Sequence, residues 1–119
     1  WVYARHVCRV IPNPPEVVAS FTQLAADPTV YHTMNGPNEF FVVGTLKHWD
    51  ITPELHKVNV PTLLVSGRHD EATPATVQPY KDLIKGSAWM IFEDSSHMPH
   101  VEETAFCMGV VGGFLNAND

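Results

Sequence analysis

Two short apolar segments in the second half of the chain constrain the possible folds more than any other feature. Residues 61–66 form a continuous apolar run that ends at Ser66, and residues 88–92 form a second run. Continuous apolar runs of this length, bounded by turn residues, are typical of strands buried on both faces. Such strands occur almost only in parallel sheets that helices cover on both sides. The sequence therefore predicts an α/β fold.

Helical patterns lie between these two segments and after them. Thr73 and Pro74 form an N-cap and a first helical residue, and Gly86 marks the end of that helix. Pro79 removes one hydrogen bond inside it. A final helix is predicted over residues 101–115. The order strand, helix, strand, helix indicates a βαβ unit in a parallel sheet, and two strands alone are too few for a stable sheet, so further strands are expected from elsewhere.

The first half of the chain is predicted to be helical and rich in loops. We expect Asn13 as an N-cap and Pro14 as the first residue of a helix with one apolar stripe. Residues 37–50 are rich in aromatic and β-branched side chains but alternate poorly, so we expect an extended connector there. The sequence thus divides into two predicted parts, residues 1–50 and residues 51–119.

The composition argues against several classes of partner and location. The chain has 13 acidic residues against 7 Lys and Arg, a net charge of −6 and no basic run, so we expect neither nucleic acid nor a membrane surface as a partner. No apolar stretch approaches the roughly 20 residues that span a bilayer. Cys8 and Cys107 have neither a metal-binding nor a CxxC spacing, so we predict free thiols and a cytoplasmic location.

An acid and a histidine follow the two predicted strands. Asp70 comes four residues after Ser66, and His97 comes five residues after Phe92. Because the carboxyl ends of parallel strands meet at one edge of a sheet, we expect these side chains to lie together. A carboxylate there can accept the Nδ1 proton of an imidazole and stabilise the imidazolium. An acid and then a histidine, with one helix between them, is typical of the end of an α/β-hydrolase.

The nucleophile that would complete such a site is missing. The chain has no G-x-S-x-G motif and no Gly-rich oxyanion loop, so we do not expect it to catalyse acyl transfer alone. It begins at Trp1 without an initiator Met, and we expect it to be a piece of a longer chain.

The histidines suggest no metal site. His97 and His100 have a His-x-x-His spacing, but Pro99 disrupts the helix that such a pair needs. We therefore expect no metal and no cofactor. The remaining histidines are expected at the surface or in packing: His6, His32, His48, His56 and His69.

Four segments resemble the proline iminopeptidase family, which consists of α/β-hydrolase-fold serine aminopeptidases with a helical cap. The segments are Gly36–Phe40, Gly44–Asp50, Ser66–Pro74 and Glu93–His100. The likeness extends from about Trp1 to the end and corresponds only to the C-terminal part of such an enzyme. It implies that residues 1–50 are the C-terminal part of the cap with its connector, and that residues 51–119 are the C-terminal βαβα portion of the core.

The resemblance also implies roles for four residues. Asp70 and His97 would be the acid and base of a triad, with the nucleophilic Ser and the oxyanion hole in a preceding segment that acts as a partner. Glu39 and Glu71 would hold the α-amino group of a peptide or amino-acid amide with a free N-terminus. A buried ammonium without an opposite charge would cost several kcal/mol.

Alternatives stay open from the sequence. Glu71 could be an exposed loop acid, and Glu39 could cap Phe40-Phe41. The same fold would also serve an amino-acid amidase or a small-ester hydrolase. A third possibility is a truncated, non-catalytic fragment that acts only by docking to the rest of a protein.

Overall fold

The computed structural model describes residues 2–119. Trp1, at which the predicted cap portion starts, lies outside the described residues. The chain divides into two compact units: the described residues up to Ile11 join Thr52–Asp119 in the first, and Pro12–Ile51 form the second. The division into cap and core at residue 50 stays a prediction.

Residues 2–119 form helices and two strands, in the following order along the chain. The α-helices and strands are α1 (Tyr3–His6), α2 (Pro15–Ala26), α3 (Thr29–Met34), β1 (Leu63–Gly67), α4 (Pro74–Leu83), β2 (Ala88–Phe92), α5 (Pro99–Glu102) and α6 (Thr104–Ala117), and 3-10 helices cover Thr45–His48 and Thr52–Lys57.

The two predicted strands pair as expected. β1 and β2 run parallel, with Leu63 opposite Ala88 and Gly67 opposite Phe92. Helix α4 lies between them in the chain, which gives the predicted βαβ order. Because the two strands end in register, the loops that follow them start side by side at one edge of the sheet.

Gly67 lets the two post-strand loops approach each other closely. A Cβ at this position would lie 2.0 Å from the carbonyl oxygen of Ser96 and 2.4 Å from that of Ser95. Real Cβ atoms do not approach backbone oxygens this closely, so no larger residue fits without a backbone shift. The end of β1 is therefore packed directly against the loop after β2.

The core of the first unit is small and apolar. Phe92, at the end of β2, is fully buried, and its ring lies 5.1 Å from the ring of Phe106 with a 59° tilt. The other buried apolar residues of this unit are Val7, Cys8, Leu55, Ile84 and Cys107. None of the helices in residues 2–119 is both long enough and apolar enough to cross a membrane.

Three local predictions are wrong in detail. Helix α2 starts at Pro15 with Pro14 as its N-cap, rather than at Pro14 with Asn13 as cap. A residue before proline avoids helical backbone angles, and Pro14 accordingly has φ −58° and ψ 153°. The predicted final helix is two helices, because Glu103 between them has φ −129° and ψ 49°.

The third difference concerns the connector. The segment expected to be extended contains an isolated antiparallel bridge between Asn38 and Phe41 and a 3-10 helix over Thr45–His48. The carbonyl of Asn35 accepts the N–H groups of Val43 and Gly44, both at 2.9 Å. The backbone N–H groups of Val43 and Gly44 therefore find their acceptor in a turn that closes on Asn35. In an extended segment they would need a neighbouring strand as their partner.

Candidate functional site

Asp70 is buried in the turn that follows β1. Only 6% of the residue is exposed, and its Oδ1 accepts the backbone N–H of Ala72 at 2.9 Å. The N–H of Asp70 reaches back to the carbonyl of Gly67 at 3.4 Å. Hydrogen bonds within the turn therefore orient the Asp70 carboxylate, independently of any contact from another loop.

The loop that carries His97 is bonded to the loop that carries Asp70. The N–H of Arg68 donates to the carbonyl of Phe92 at 2.8 Å, and the N–H of His69 donates to the carbonyl of Ser95 at 3.0 Å. These bonds continue the parallel pairing of the strands past their ends. They bring Asp70 and His97 to the same edge of the sheet, where the sequence predicted them.

The side chains of Asp70 and His97 form a hydrogen bond. The distance from Asp70 Oδ1 to His97 Nδ1 is 2.9 Å, and the imidazole is 48% exposed while the carboxylate is 7% exposed. A carboxylate acts here as the acceptor, which assigns the proton to Nδ1 and, in the neutral imidazole, the lone pair to Nε2. An imidazole held in this tautomer can accept a proton at Nε2, and the adjacent carboxylate would stabilise the resulting imidazolium.

Glu71 brings a second carboxylate to the same imidazole. Its Oε1 lies 4.0 Å from His97 Nδ1, and its side chain is 17% exposed. The N–H of Glu71 donates to the carbonyl of His6 at 3.3 Å, while His6 Nδ1 lies 2.8 Å from the carbonyl oxygen of His69. The segment that contains α1 therefore braces the backbone on both sides of Asp70. A role for His6 was not predicted, because nothing in its spacing distinguishes it from the other histidines.

Glu39 belongs to the second compact unit. It lines a cavity of about 460 Å³ within that unit, together with Tyr31, Met34 and Asn35. Asp27 also lines this cavity, and hydrogen bonds from the side chain and then from the backbone N–H of Thr29 lower the pKa of the Asp27 carboxyl. Of the four predicted site residues, Asp70, Glu71 and His97 come together, and Glu39 lies in an apolar pocket of its own unit.

Buried serines near the site are engaged in other hydrogen bonds. Ser66 accepts the indole N–H of Trp89 at 3.0 Å. The Ser95 hydroxyl donates to Glu103 at 2.5 Å, and the Ser96 hydroxyl donates to Glu102 at 2.7 Å. These hydroxyls hold the loops together, in agreement with the absence of a nucleophile motif around them in the sequence.

Glu102 is a site-adjacent residue that the sequence did not reveal. Its carboxylate accepts hydrogen bonds from the His97 loop and from the backbone of Arg9. The contact depends on how the fold brings the His97 loop, α5 and Arg9 together, and it was not predicted from the sequence. Among residues 2–119, no group of three or more His, Cys, Asp or Glu side chains is arranged to hold a metal ion.

An ion pair joins the two loops at the exposed end of the sheet. Arg68 Nη2 lies 2.6 Å from Glu93 Oε1, and Arg68 Nε lies 2.8 Å from Glu93 Oε2. The bidentate hydrogen bonds lower the pKa of the Glu93 carboxyl and raise the pKa of the Arg68 guanidinium. Both side chains are exposed, so the pair contributes mainly to the alignment of the loops.

The chain is similar to curated proline iminopeptidases over nearly its whole length. It is 41% identical over 114 residues to the proline iminopeptidase of Saccharolobus solfataricus and 37% identical over 116 residues to that of Heyndrickxia coagulans. These alignments cover 96% and 98% of this chain but only 36% and 40% of the two relatives. The chain thus spans less than half the length of the curated relatives it matches. No protein-family model matches the sequence.

Two solved structures match nearly the whole of this chain. The proline iminopeptidase of Mycobacterium smegmatis matches 98% of this chain at 48% identity with a TM-score of 0.94, and VinJ matches 99% at 47% identity with a TM-score of 0.95. The chain covers 39% and 40% of these structures. MenH from S. aureus, at 22% identity and a TM-score of 0.64, shares the fold. The chain therefore resembles the C-terminal part of the proline iminopeptidases and has the fold of the C-terminal part of an α/β-hydrolase.

Proposed function

We propose that this chain is the C-terminal portion of a serine hydrolase that releases N-terminal proline or another amino acid from peptides or amides. The observation that carries the proposal is the 2.9 Å hydrogen bond between buried Asp70 and half-exposed His97. The similarity to proline iminopeptidases over nearly the whole chain supports the same reaction class. A preceding segment would supply the nucleophilic Ser and the oxyanion hole.

In this proposal His97 moves the protons of acyl transfer. Nε2 of His97 takes the proton of the Ser hydroxyl as its oxygen attacks the scissile carbonyl, and the imidazolium then gives that proton to the leaving amine. In the second half of the reaction the imidazole activates a water molecule that hydrolyses the acyl-enzyme. Asp70 keeps the proton on Nδ1 and stabilises the imidazolium in both halves.

Glu71 would hold the α-amino group of the substrate. In an aminopeptidase the ammonium lies two bonds from the carbonyl carbon that reacts, so its binding site must be within a few ångströms of the catalytic imidazole. The Glu71 carboxylate, 4.0 Å from His97 Nδ1, satisfies this requirement. Glu39 is proposed as a second carboxylate for the amine, as the family resemblance implies.

We also propose a cytoplasmic location. Cys8 and Cys107 are buried and free, which suits a reducing compartment. Burial and the nearby charge of Glu103 raise the pKa of the Cys107 thiol, so it stays protonated and unreactive at neutral pH.

The reaction class is tested by replacing His97 in a polypeptide that carries the preceding segment. We expect His97→Ala to lower kcat for an aminoacyl anilide by about 10³-fold or more, because no other group would take the Ser proton. His100→Ala is the matched control, since this exposed histidine lies three residues away on α5. A His97→Ala enzyme with near-normal turnover would contradict the assignment.

The substrate class is tested separately with Glu39→Gln and Glu71→Gln. If these carboxylates bind an ammonium, each variant loses activity on free aminoacyl anilides and keeps its activity on N-blocked anilides and small esters. Equal losses on both substrate types would instead favour the amidase or small-ester hydrolase alternative.

A further inference from the structure

The carboxylate of Glu102 collects four hydrogen bonds. Oε2 accepts the backbone N–H of Ser96 at 2.8 Å and that of Met98 at 3.1 Å. Oε1 accepts the Ser96 hydroxyl at 2.7 Å and the backbone N–H of Arg9 at 2.7 Å. Three of the four donor–acceptor distances are 2.8 Å or less, and the bond from Met98 is the longest.

Two of these bonds flank His97 directly. Ser96 and Met98 are the residues before and after it, and both of their N–H groups point to the same Glu102 oxygen. A single acceptor for both N–H groups restricts the backbone dihedral angles of His97 from either side. The histidine is 48% exposed, so its own packing fixes it only partly.

The fourth bond ties a distant part of the chain to the same carboxylate. Arg9 follows α1, the helix whose last residue, His6, contacts the backbone of His69 and Glu71. Glu102 therefore joins the His97 loop to the segment that braces the Asp70 turn. The loop of His97 and the turn of Asp70 are therefore connected to each other through Glu102 and the segment that contains α1.

We propose that Glu102 is a positioning residue that holds His97 in hydrogen-bonding distance of Asp70. The proposal rests on the proposed function for its effect on turnover, but the Asp70–His97 bond can be observed without catalysis. Glu102 itself does not contact the reacting atoms. Its loss would let the His97 loop move, and a displacement of about 1 Å can cost on the order of 10²-fold in rate.

The test compares Glu102→Ala and Glu102→Gln with Glu103→Gln in the polypeptide that carries the preceding segment. Glu102→Gln keeps the shape of the side chain but turns an NH₂ group toward at least one N–H donor. Glu103→Gln makes the same change at the next residue, whose carboxylate accepts the Ser95 hydroxyl rather than the backbone N–H groups beside His97. If Glu102→Ala does not fold, Glu102→Gln still decides the outcome.

Two readouts are needed. The first is steady-state kinetics, for which we expect a fall in kcat of about 10²-fold for Glu102→Ala and about 10-fold for Glu102→Gln, with KM changed less than twofold. The second is the NMR signal of the His97 Nδ1 proton bonded to Asp70, which we expect to weaken or exchange faster in both Glu102 variants. Glu103→Gln should leave both readouts near the unmodified values.

The outcomes separate this inference from the proposed function. An unchanged Nδ1 proton signal in both Glu102 variants would overturn the positioning role, whatever the rates are. Unchanged kcat in both Glu102 variants, in an enzyme that His97→Ala inactivates, would overturn it as well. If His97→Ala retains activity, the proposed function fails, while the Nδ1 signal still decides whether Glu102 positions the imidazole.

Discussion

At the scale of single residues, the central feature is one oxygen atom with two hydrogen bonds. Asp70 Oδ1 accepts both the N–H of Ala72 and the Nδ1–H of His97, each at 2.9 Å. The bond from Ala72 orients the carboxylate within its own turn. The bond from His97 then orients the imidazole relative to this carboxylate. Asp70 is almost fully buried, so water screens its interaction with the half-exposed imidazole less than it would screen a pair with both partners at the surface.

Asp70→Asn separates the charge of this residue from its shape. An amide oxygen can occupy the place of Oδ1 and accept both bonds, but it cannot stabilise an imidazolium. We predict a fall in kcat on the order of 10³- to 10⁴-fold, with a smaller change in stability, measured by aminoacyl anilide hydrolysis and thermal unfolding. Asp94→Asn is the control, because Asp94 is an exposed acid in the His97 loop. Equal rates for the two variants would contradict the role of Asp70.

At the scale of elements, the site depends on how closely the ends of β1 and β2 approach each other. The backbone bonds from Arg68 to Phe92 and from His69 to Ser95 extend the strand pairing into the loops. Gly67 makes this approach possible because it has no Cβ. The loops are therefore parts of the sheet edge rather than independent turns.

Gly67→Ala should disturb both stability and the site. The added Cβ would lie 2.0 Å from the Ser96 carbonyl oxygen, so the His97 loop has to shift. We predict a loss of about 1–3 kcal/mol in the free energy of unfolding, together with a reduced kcat. Gly109→Ala in α6 is the control, because an added Cβ there meets no heavy atom within 4 Å apart from the neighbouring backbone of its own helix. Similar unfolding temperatures for Gly67→Ala and the unmodified protein would show that the contact is not tight.

The Arg68–Glu93 ion pair predicts a pH dependence of defined sign. Hydrogen bonds from Arg68 lower the pKa of Glu93, so the stability it contributes is present above the ordinary glutamate pKa of about 4.3. This contribution is lost as the pH falls through the lowered pKa of the folded state. In urea unfolding, Glu93→Gln should therefore be slightly less stable than the unmodified protein at pH 7, and this difference should shrink as the pH falls below the ordinary glutamate pKa. A difference in stability between Glu93→Gln and the unmodified protein that grows as the pH falls would contradict this assignment. Glu16→Gln, at an exposed position on α2, is the control.

Only part of the fold and of the candidate site could be predicted from the sequence. The positions of β1 and β2, and the meeting of Asp70 with His97, follow from apolar runs and from the rule that parallel strands end at one edge. The break at Glu103 and the role of Glu102 do not follow, because they depend on side-chain contacts with Ser95, Ser96 and the distant Arg9. The start of α2 could have been predicted from the restriction that Pro15 places on Pro14.

At the scale of the whole molecule, the chain presents apolar surface that a folded protein normally covers. Helix α6 is apolar around most of its circumference, yet Phe106, Met108 and Leu115 are each more than half exposed. The described residues form a sheet of two strands. A helix that is apolar all round is normally buried, and a parallel sheet is normally covered on both faces.

We predict that the chain is more stable when it is joined to the preceding segment that we propose. Additional parallel strands would pair with the sheet edges and cover apolar side chains of this chain. The isolated chain should unfold at a lower temperature and bind a hydrophobic dye, whereas the longer polypeptide should bind little dye. Equal unfolding temperatures and equal dye binding would show that this chain is an independently stable unit.

The central claim is that Asp70 and His97 are the acid and base of a serine hydrolase. The most direct measurement is the rate at which a fluorophosphonate labels the longer polypeptide, because this rate reports activation of the Ser without any contribution from substrate specificity. We predict that His97→Ala slows labelling by about 10³-fold or more and that His100→Ala leaves it unchanged. Labelling of His97→Ala at the unmodified rate would contradict the account.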